Sequence, residues 1–597
     1  MVNPSPPFLR CALSGITVFG FSALVLGAYN AAELASFHGW DRLGLDWLEL
    51  ELWSQQRPLV PAGIVGALFS ALMVFCETRK IQGGLTGAMR RVNSLLGFPL
   101  VALAAALLFL SIPGSVADMR QPAAPAQAPN VLFVLLDTWR ADHVGFLGYE
   151  RDVSPNLDRL VEDGVVFERA MSSSGWTKPA VASLFTGLIP SRHNAVSQPL
   201  PHTAVRGAFL QPPVTTFVEI FRARGWDTAM WSNNPNITPP RGFDQGAGYF
   251  RDYYHDSRKT QEFDPGRAER MIPDVESWLE QRADIERPFC AYLHIMDPHY
   301  PYVAPAPYAG TFDKSGLDFQ LLGPVCRELM AGKRQLADFT PEMQKRILDI
   351  YDEELLYVDH YVGEFLQRVM TEHPNTIVIL SGDHGEEFLE HGNYGHGHAI
   401  WNELAHVPLV FWAPGLEAGR VPEQVRLMDV FPTLLELAGL ESSTPPGIQG
   451  ETLSTFFDGT ETKDRVAPIE TGGDQKPAWQ WRAISEGRYK YLRREPNLPN
   501  MKKPVPALSP DENADNFPLE YLFDLENDPG EQINLIDEHP DIAARLFAEM
   551  KKRNWYVPPT ELLKLSARKS NLSTGDAGHL DALGYGGGDD EVDADNP

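Results

Sequence analysis

Three long apolar runs without a charged residue occupy much of the first 120 positions. They lie at residues 11–32, 59–76 and 94–116. An uncharged apolar run of about 18 residues or more can cross the hydrocarbon core of a bilayer as a helix. A cleaved signal peptide would explain one such run with a short apolar core, but not three. The pattern therefore predicts three transmembrane helices rather than three buried helices of a globular core.

The charges beside these runs predict how the chain crosses the membrane. The connector 77–93 is mainly basic, whereas the connector 37–58 is mainly acidic. Basic connectors stay on the cytoplasmic side. We therefore expect a cytoplasmic N-terminus and a lipid bilayer as a partner. Everything after residue 116 is then expected outside the cytoplasm, on the periplasmic or cell-surface side of a bacterial inner membrane.

Beyond a Pro/Ala-rich spacer at 121–129, short apolar runs alternate with helical patterns. The apolar runs are typical of strands buried on both faces of a parallel sheet, and they lie at 130–137, 290–296, 376–380 and 407–412. The helical patterns lie at 156–163, 214–224, 341–370 and 428–440. Alternating strands and helices predict an α/β fold.

The C-terminal part has a different pattern. Residues 482–493 and 520–525 are predicted to form strands of a smaller antiparallel part, and residues 541–552 a helix. The end of the chain is rich in glycine and acidic residues, with no basic residue after Lys569. This composition predicts a solvated, disordered tail.

The charge balance excludes one class of partner. The chain has 597 residues and a formal net charge of −28, which argues against nucleic acid as a ligand because its binders present basic surfaces. The acidic excess lies entirely after the three apolar runs. Cys290 and Cys326 fall in that part, where a disulfide is permitted, and their pairing stays open.

Acidic residues end two of the predicted buried strands. Asp137 follows the first strand, and Asp383 with His384 follows the strand at 376–380. In open α/β sheets, ligands bind beyond the carboxyl ends of the strands. Carboxylate oxygens with one imidazole nitrogen favour Zn²⁺ or Mn²⁺, with Ca²⁺ or Mg²⁺ possible. The alternative for each acid is an ordinary helix cap.

A hydroxyl stands at the start of a further helical segment. Thr177 is predicted to be the N-cap, with Pro179 in the first helical turn. The positive end of the helix dipole favours an alkoxide there, and also an anion in front of it. The alternative is a plain capping threonine.

Several motifs in this order resemble the sulfatase family of the alkaline phosphatase superfamily. The resemblance runs from about Asn130 to about Leu535. It rests on NVLFVLLDTWRADHVGFLGY, SPNLDRLVEDGVVFERA, WTKPAVASLFTGLIPSRH, MDPHYPY, SGDHGEE with HGNYGHGH, VPLVFWAPG, VRLMDVFPTLLELAGL, and GRYKYL with EYLFDLENDPGEQINL.

The resemblance puts Thr177 in the position of the family's nucleophile. Sulfatases have Cys or Ser there, which is converted to formylglycine within a Cys-x-Pro-x-Arg pattern, whereas this chain has Thr-Lys-Pro-Ala-Val with Val181 in place of the arginine. Threonine cannot give that aldehyde. The position is similar to the threonine nucleophile of lipoteichoic-acid synthases and phosphoethanolamine transferases, which are membrane-anchored.

The same matching implies the other site residues. The implied metal ligands are Asp137, Thr177, Asp383 and His384. Thr138 stands where the family often has a second acid, so we expect one divalent metal ion. The residues implied to bind the ester or to protonate the leaving oxygen are His299 and His396, with Lys178 as a further anion-binding residue. His391 and His398 are left open.

The resemblance implies a mixed sheet flanked by helices. The expected parts are a membrane anchor at 1–120, a linker at 121–129, a catalytic domain at 130–465, a C-terminal α+β subdomain at 466–560 and a tail at 561–597. We expect an enzyme that cleaves or transfers a small-molecule, glycan or lipid head-group phosphate (or sulfate) ester through a covalent intermediate on Thr177. Two alternatives are a sulfuric ester hydrolase that works without formylglycine and a catalytically silent binding protein.

Overall fold

The computed structural model describes residues 124–125, 127–196, 204–205, 209–211, 214–260, 267–283, 285–315, 340–471, 479–496, 519–556 and 568–569. The three predicted membrane spans, Cys326 and the acidic tail lie outside these residues. Among the helices of the described part, none is long and apolar enough to cross a membrane. Cys290 is a buried free thiol.

The described residues contain sixteen β-strands, and eight of them form one large mixed sheet. The strands are β1 Asn130–Leu136, β2 Val165–Met171, β3 Ala204–Val205, β4 Asp227–Ser232, β5 Tyr249–Asp252, β6 Phe289–Ile295, β7 Thr376–Gly382, β8 Glu387–Phe388, β9 Tyr394–Gly395, β10 His406–Trp412, β11 Gly419–Arg426, β12 Ala467–Glu470, β13 Trp479–Glu486, β14 Tyr489–Pro496, β15 Glu520–Asp524 and β16 Arg568–Lys569. The large sheet has the order β11-β2-β10-β7-β1-β6-β4-β5. Within it, β10 runs antiparallel to both of its neighbours, and the other pairings are parallel.

Helices cover this sheet. The α-helices are α1 Pro155–Leu160, α2 Thr177–Thr186, α3 Pro190–His193, α4 Phe217–Ala223, α5 Tyr253–Thr260, α6 Ala268–Glu280, α7 Pro341–Glu372, α8 Asn402–Ala405, α9 Val430–Leu437, α10 Ser454–Phe457 and α11 Pro540–Lys552. Short 3₁₀ turns occupy Ala141–His143, Gly145–Leu147, Val161–Asp163, Pro239–Arg241, Leu427–Asp429 and Glu441–Ser443.

The continuous apolar run of β1 is explained by cores on both faces of the sheet. Leu132, Val134 and Leu136 belong to one buried cluster, which includes residues of α7. The alternate residues Phe133 and Leu135 belong to a second cluster, which includes residues of α2. A strand buried on both faces needs apolar side chains at every position, so the predicted parallel-type strand is confirmed here.

A second, antiparallel sheet has the order β12-β13-β14-β15. The predicted strand at 482–493 is in fact a hairpin of β13 and β14, because Gly487 turns the chain with φ of +57°. Leu546 and Met550 of α11 pack in one buried cluster with Ile484 of β13. The predicted helix at 541–552 therefore covers one face of the smaller sheet.

Candidate active site

The carboxyl ends of four parallel strands bring polar residues to one end of the large sheet. Asp137 follows β1, Asp383 follows β7, and Asn234 and His299 follow β4 and β6. Because β10 is antiparallel, the connection from β7 to β10 begins and ends at this same end. The connection carries His384 and His396, so these predicted site residues lie at the same end of the sheet as Asp137 and Asp383.

Asp137 is fully buried, and its two oxygens have different surroundings. Its Oδ2 accepts hydrogen bonds from Asn234 Nδ2 and from His294 Nε2, the latter at 2.9 Å. Its Oδ1 has no hydrogen-bond partner and lies 3.5 Å from His384 Nε2. Burial raises the pKa of this carboxyl, but the hydrogen bond from His294 and nearby imidazoles outweigh burial and hold the pKa below its ordinary value.

Asp383 repeats this asymmetry. Its Oδ1 accepts hydrogen bonds from the backbone N–H groups of Thr138 and His384, at 3.3 and 2.9 Å. Its Oδ2 is buried without a hydrogen-bond partner and lies 3.5 Å from His384 Nε2. Burial and the negative charge of Asp137 raise the pKa of Asp383 well above its ordinary value. Two buried carboxylates that repel each other are stabilised in their ionised form by a cation between them.

His384 is held in one tautomer. Its Nδ1 donates to the backbone carbonyl of Gly385 at 2.8 Å, which leaves a lone pair on Nε2. Burial lowers the pKa of His384 to about 3, so the ring is neutral at neutral pH. A neutral imidazole with one pinned nitrogen is the form that ligates metals.

Thr177 completes the group, although its place in the helix differs from the prediction by one position. It is the first helical residue of α2, and Trp176 is the N-cap. The prediction of Thr177 as the N-cap is therefore wrong, because Trp176 keeps the extended backbone typical of that position. The Thr177 side chain is buried, with Oγ1 3.2 Å from His384 Nε2.

Four donor atoms thus surround one small space. Asp137 Oδ1, Asp383 Oδ2 and Thr177 Oγ1 each lie within about 3.5 Å of His384 Nε2. The ligating atoms of the two aspartates and the histidine all lie within 4.8 Å of one another. Two buried carboxylate oxygens without a hydrogen-bond partner are expensive unless they face a cation. The donor set therefore fits a divalent metal ion, and the arrangement is a possible metal-binding site.

Thr138, which takes the place of a second acid, has its side chain engaged elsewhere. The Thr138 hydroxyl donates to the carbonyl of Pro298 at 2.9 Å. Its φ of +56° is unusual for a β-branched residue. Tyr351 of α7 holds this turn, because its hydroxyl donates to the Thr138 carbonyl at 2.8 Å. The turn directs the Thr138 N–H toward Asp383.

His299 and His396 lie beside this group. The ring centroid of His396 is 4.6 Å from that of His384 and 4.9 Å from that of His299. His299 Nδ1 donates to the Tyr300 carbonyl, and His396 Nδ1 pairs with Glu386 Oε1, both at 2.6 Å. Burial lowers the pKa of both rings, that of His396 to about 4. In each ring, Nδ1 is therefore engaged by a neighbouring protein group.

The remaining predicted residues lie around this centre. Lys178 is buried, and its ammonium lies 5.3 Å from the centre of the Trp176 ring. His398 Nε2 pairs with Glu387 Oε2 at 2.6 Å. His391 stacks on Trp401 and belongs to a different cluster of donors.

Three site residues escaped the sequence analysis. His294 and Asn234 hold Asp137, and Glu386 holds His396. His294 could have been found, since it places an imidazole within the apolar run 290–296. Asn234 could not, because β4 was not recognised as a strand.

Comparison with known proteins gives a family-level match. The sequence profile of the sulfatase family matches residues 129–440, which is more than half of the chain.

Two curated proteins show the extent of the similarity. The chain is 27% identical over 426 residues to the ulvan-active sulfatase of Formosa agariphila, covering 66% of this chain and 78% of that protein. It is 24% identical over 486 residues to the choline-sulfatase of Rhizobium meliloti, covering 72% of this chain and 87% of the other.

A solved structure shows the same fold. The phosphonate monoester hydrolase of Agrobacterium radiobacter superimposes with a TM-score of 0.54 at 20% identity, covering 72% of this chain and 95% of that chain.

Proposed function

This chain belongs to the sulfatase family and is a hydrolase of that family, and we propose that it cleaves phosphate esters through a covalent intermediate on Thr177. The observation that carries the proposal is the position of the Thr177 hydroxyl. It stands at the start of α2, 3.2 Å from His384 Nε2 and beside two carboxylates with unpaired oxygens. A hydroxyl so placed would be activated as a nucleophile by a cation bound to these groups.

The site needs a cation to work in this way. When bound, a divalent ion would lower the pKa of the Thr177 hydroxyl and offset the charge of an anionic ester. Asp137, Asp383, His384 and Thr177 would hold it. Two carboxylates, an imidazole and a hydroxyl favour Zn²⁺ or Mn²⁺ over Ca²⁺ or Mg²⁺.

The chain's own groups would carry the proton and the anion. Thr177 Oγ1, whose proton passes to water, attacks phosphorus, the bond from phosphorus to the leaving oxygen breaks, and a threonyl phosphoester remains. His299 or His396 would give a proton to the leaving oxygen, since an approaching anion raises the pKa of a neutral imidazole. Lys178 would add positive charge near the start of α2. Water or an acceptor alcohol then releases the group and restores Thr177.

A sulfate ester is the second candidate substrate. The similarity to proteins named as sulfatases favours it. The side chain at position 177 disfavours it, because threonine cannot supply the aldehyde hydrate through which sulfatases with formylglycine release sulfate. A threonyl sulfate would have to be hydrolysed directly.

The test is a pair of substitutions at the nucleophile. We expect Thr177→Ala to lower turnover of an aryl phosphate mono- or diester by at least about 10³-fold, whereas Thr177→Ser keeps much of it. Metal content should change modestly in both, because three ligands remain in Thr177→Ala and all four in Thr177→Ser. Unchanged turnover in Thr177→Ala would contradict the mechanism.

Mass spectrometry of the peptide that contains Thr177 would identify the transferred group. Phosphoryl and sulfuryl adducts differ in exact mass, and a heavier adduct would reveal a lipid or glycan head group. No adduct with any donor, together with no turnover, would favour a silent binding protein.

We further propose that the enzyme is anchored by three transmembrane helices within residues 1–120 and works outside the cytoplasm. The uncharged runs and the basic connector 77–93 support this. Cell fractionation with alkaline extraction, followed by protease treatment of spheroplasts, tests both points. Release of the chain by alkali, or protection of residues 130–556 from external protease, would contradict the proposal.

A further inference from the structure

A second group of potential metal ligands lies outside the proposed active site. It consists of His391 in the turn between β8 and β9, Glu403 in α8, and Glu531 after β15. One ligand atom of each lies within 4.8 Å of the other two. The group joins the large-sheet part of the chain to the strands of the smaller sheet, and the proposed phosphoester chemistry makes no use of it.

The two carboxylates of this group are buried, and only one of them pairs with a buried ammonium. Glu403 is 8% exposed and Glu531 is 2% exposed. Lys490 Nζ lies 2.9 Å from Glu531 Oε1, so this pair offsets its own charge. The nearby Arg140 forms its ion pairs with Asp142 and Glu390. The Glu403 carboxylate is thus left without a salt-bridge partner among the described lysines and arginines.

Buried atoms without a hydrogen bond mark the space between these side chains. Glu403 Oε1 and His391 Nε2 both have no hydrogen-bond partner, and they lie 3.5 Å apart. An unpaired buried carboxylate oxygen is costly, and so is an unpaired imidazole nitrogen. A cation between them would satisfy both atoms at once.

Neighbouring groups hold two of the three side chains, those of His391 and Glu531, in place. The His391 ring stacks on Trp401, with ring centres 4.1 Å apart and an angle of 16° between the planes. The His391 backbone N–H donates to Glu387 Oε1 at 3.1 Å. Glu531 Oε2 accepts from the Asn402 backbone N–H at 2.6 Å, and its Oε1 lies beside Lys490 Nζ.

We propose that His391, Glu403 and Glu531 bind a second divalent cation, separate from the one beside Thr177. One imidazole and two carboxylates are a ligand set for Zn²⁺ or Mn²⁺, whereas Ca²⁺ and Mg²⁺ prefer oxygen ligands alone. The ion fastens the segment between β7 and β10 to the residues that follow β15. Its role is structural, because none of its ligands is among the residues that surround Thr177 Oγ1.

The experiment counts zinc ions bound to the full-length protein after metal removal. Equilibrium dialysis in a chelator-buffered zinc solution, with elemental analysis, should give two ions per chain for the wild type. Glu403→Gln, which keeps the shape of the side chain, should bind one ion. Asp383→Asn should also bind one ion, and the double variant none. Glu372→Gln, which removes an exposed carboxylate, is the matched control and should bind two.

The two sites can be told apart. Loss of an ion in Asp383→Asn alone concerns the proposed active site, and loss in Glu403→Gln alone concerns this one. If wild type and Glu403→Gln bind equal numbers of ions, the proposal is wrong, and a proton rather than a metal neutralises Glu403. If Glu403→Gln does not fold, His391→Asn must show the same loss of one ion, and two ions in that variant would overturn the proposal.

Discussion

At the scale of single residues, the most informative side chain is that of His294, which supports a proposed metal ligand but is not itself one. His294 Nε2 donates to Asp137 Oδ2, and the Tyr292 hydroxyl donates to His294 Nδ1 at 2.8 Å. All three side chains are buried. The chain of hydrogen bonds holds one oxygen of Asp137, so that the other faces the proposed metal. Partners of this kind orient metal ligands and increase their basicity.

We expect His294→Leu to weaken zinc binding at the site beside Thr177 by about 10–100-fold. The reason is that Asp137 then loses the group that fixes its rotation. His294→Gln should recover part of the affinity, because its amide can donate in place of Nε2. Competition with a zinc chelator measures the change.

Tyr292→Phe is the control for packing, since it keeps the ring and removes only the hydroxyl. Its affinity should fall much less than that of His294→Leu. Wild-type affinity in His294→Leu would show that Asp137 needs no such support.

At the scale of elements, the segment after β7 depends on a close backbone approach. A Cβ placed on Gly385 would lie 1.9 Å from the backbone oxygen of Glu403 in α8. One of the two segments would have to move, and His384 is adjacent. We expect Gly385→Ala to destabilise the protein by about 2–3 kcal/mol and to lower turnover.

Gly419→Ala provides the matched comparison. A Cβ on Gly419, in the edge strand β11, would meet nothing within 4 Å. Its unfolding free energy should stay within about 0.5 kcal/mol of the wild type. Urea denaturation and turnover measure both variants. Equal unfolding free energies and turnover in the two variants would mean that α8 moves away from residue 385 at little energetic cost.

Helix α7 carries a pH-dependent contribution to stability. Burial raises the pKa of Glu354 to about 8, even though Arg267 pairs with it. Because the folded pKa lies above the unfolded value, the folded state holds an extra proton between about pH 4.5 and 8. The contribution of Glu354 to the free energy of unfolding is complete below this pH window. It falls as the pH rises across the window and is lost above about pH 8.

Glu354→Gln should therefore flatten the fall in stability between pH 6 and pH 9, by about 1–2 kcal/mol. Urea unfolding at both pH values gives the slope. An unchanged slope in the variant would show that Glu354 is already ionised at pH 6.

The elements differ in how far the sequence predicts them. The runs that became β1, β6, β7 and β10 were recognised, because burial on both faces leaves an unbroken apolar signature. β2 was missed, since Glu168 and Arg169 interrupt it near the sheet edge. β4 was missed because it is short and begins with an aspartate.

The site shows the same division. Asp137, Thr177, Asp383 and His384 were predicted to meet, and the structure brings them together. Glu386 could not be given a role, because its pairing with His396 depends on the course of the loop between β8 and β9 rather than on any local pattern. The cluster of His391, Glu403 and Glu531 joins segments that no pattern in the sequence connects.

At the scale of the whole molecule, the net charge of −28 opposes a dianionic substrate at long range. Salt screens this repulsion, because the Debye length falls from about 30 Å at 0.01 M to about 8 Å at 0.15 M. We expect kcat/KM for an aryl phosphate to rise about two- to fivefold over this range. A zwitterionic ester with no net charge should show little change. A fall with salt for the dianion would indicate a locally positive entrance that dominates the acidic surface.

The wide spacing of the site residues also governs when activity can appear. Thr177 and His384 are 207 positions apart, and Thr138 and Asp383 are 245 apart. Contacts of such long range form slowly and require most of the chain. During synthesis, the nucleophile is made long before β7 can pair with β1. The emerging chain therefore lacks a complete site until β7 and His384 have been synthesised and have reached β1 and Thr177.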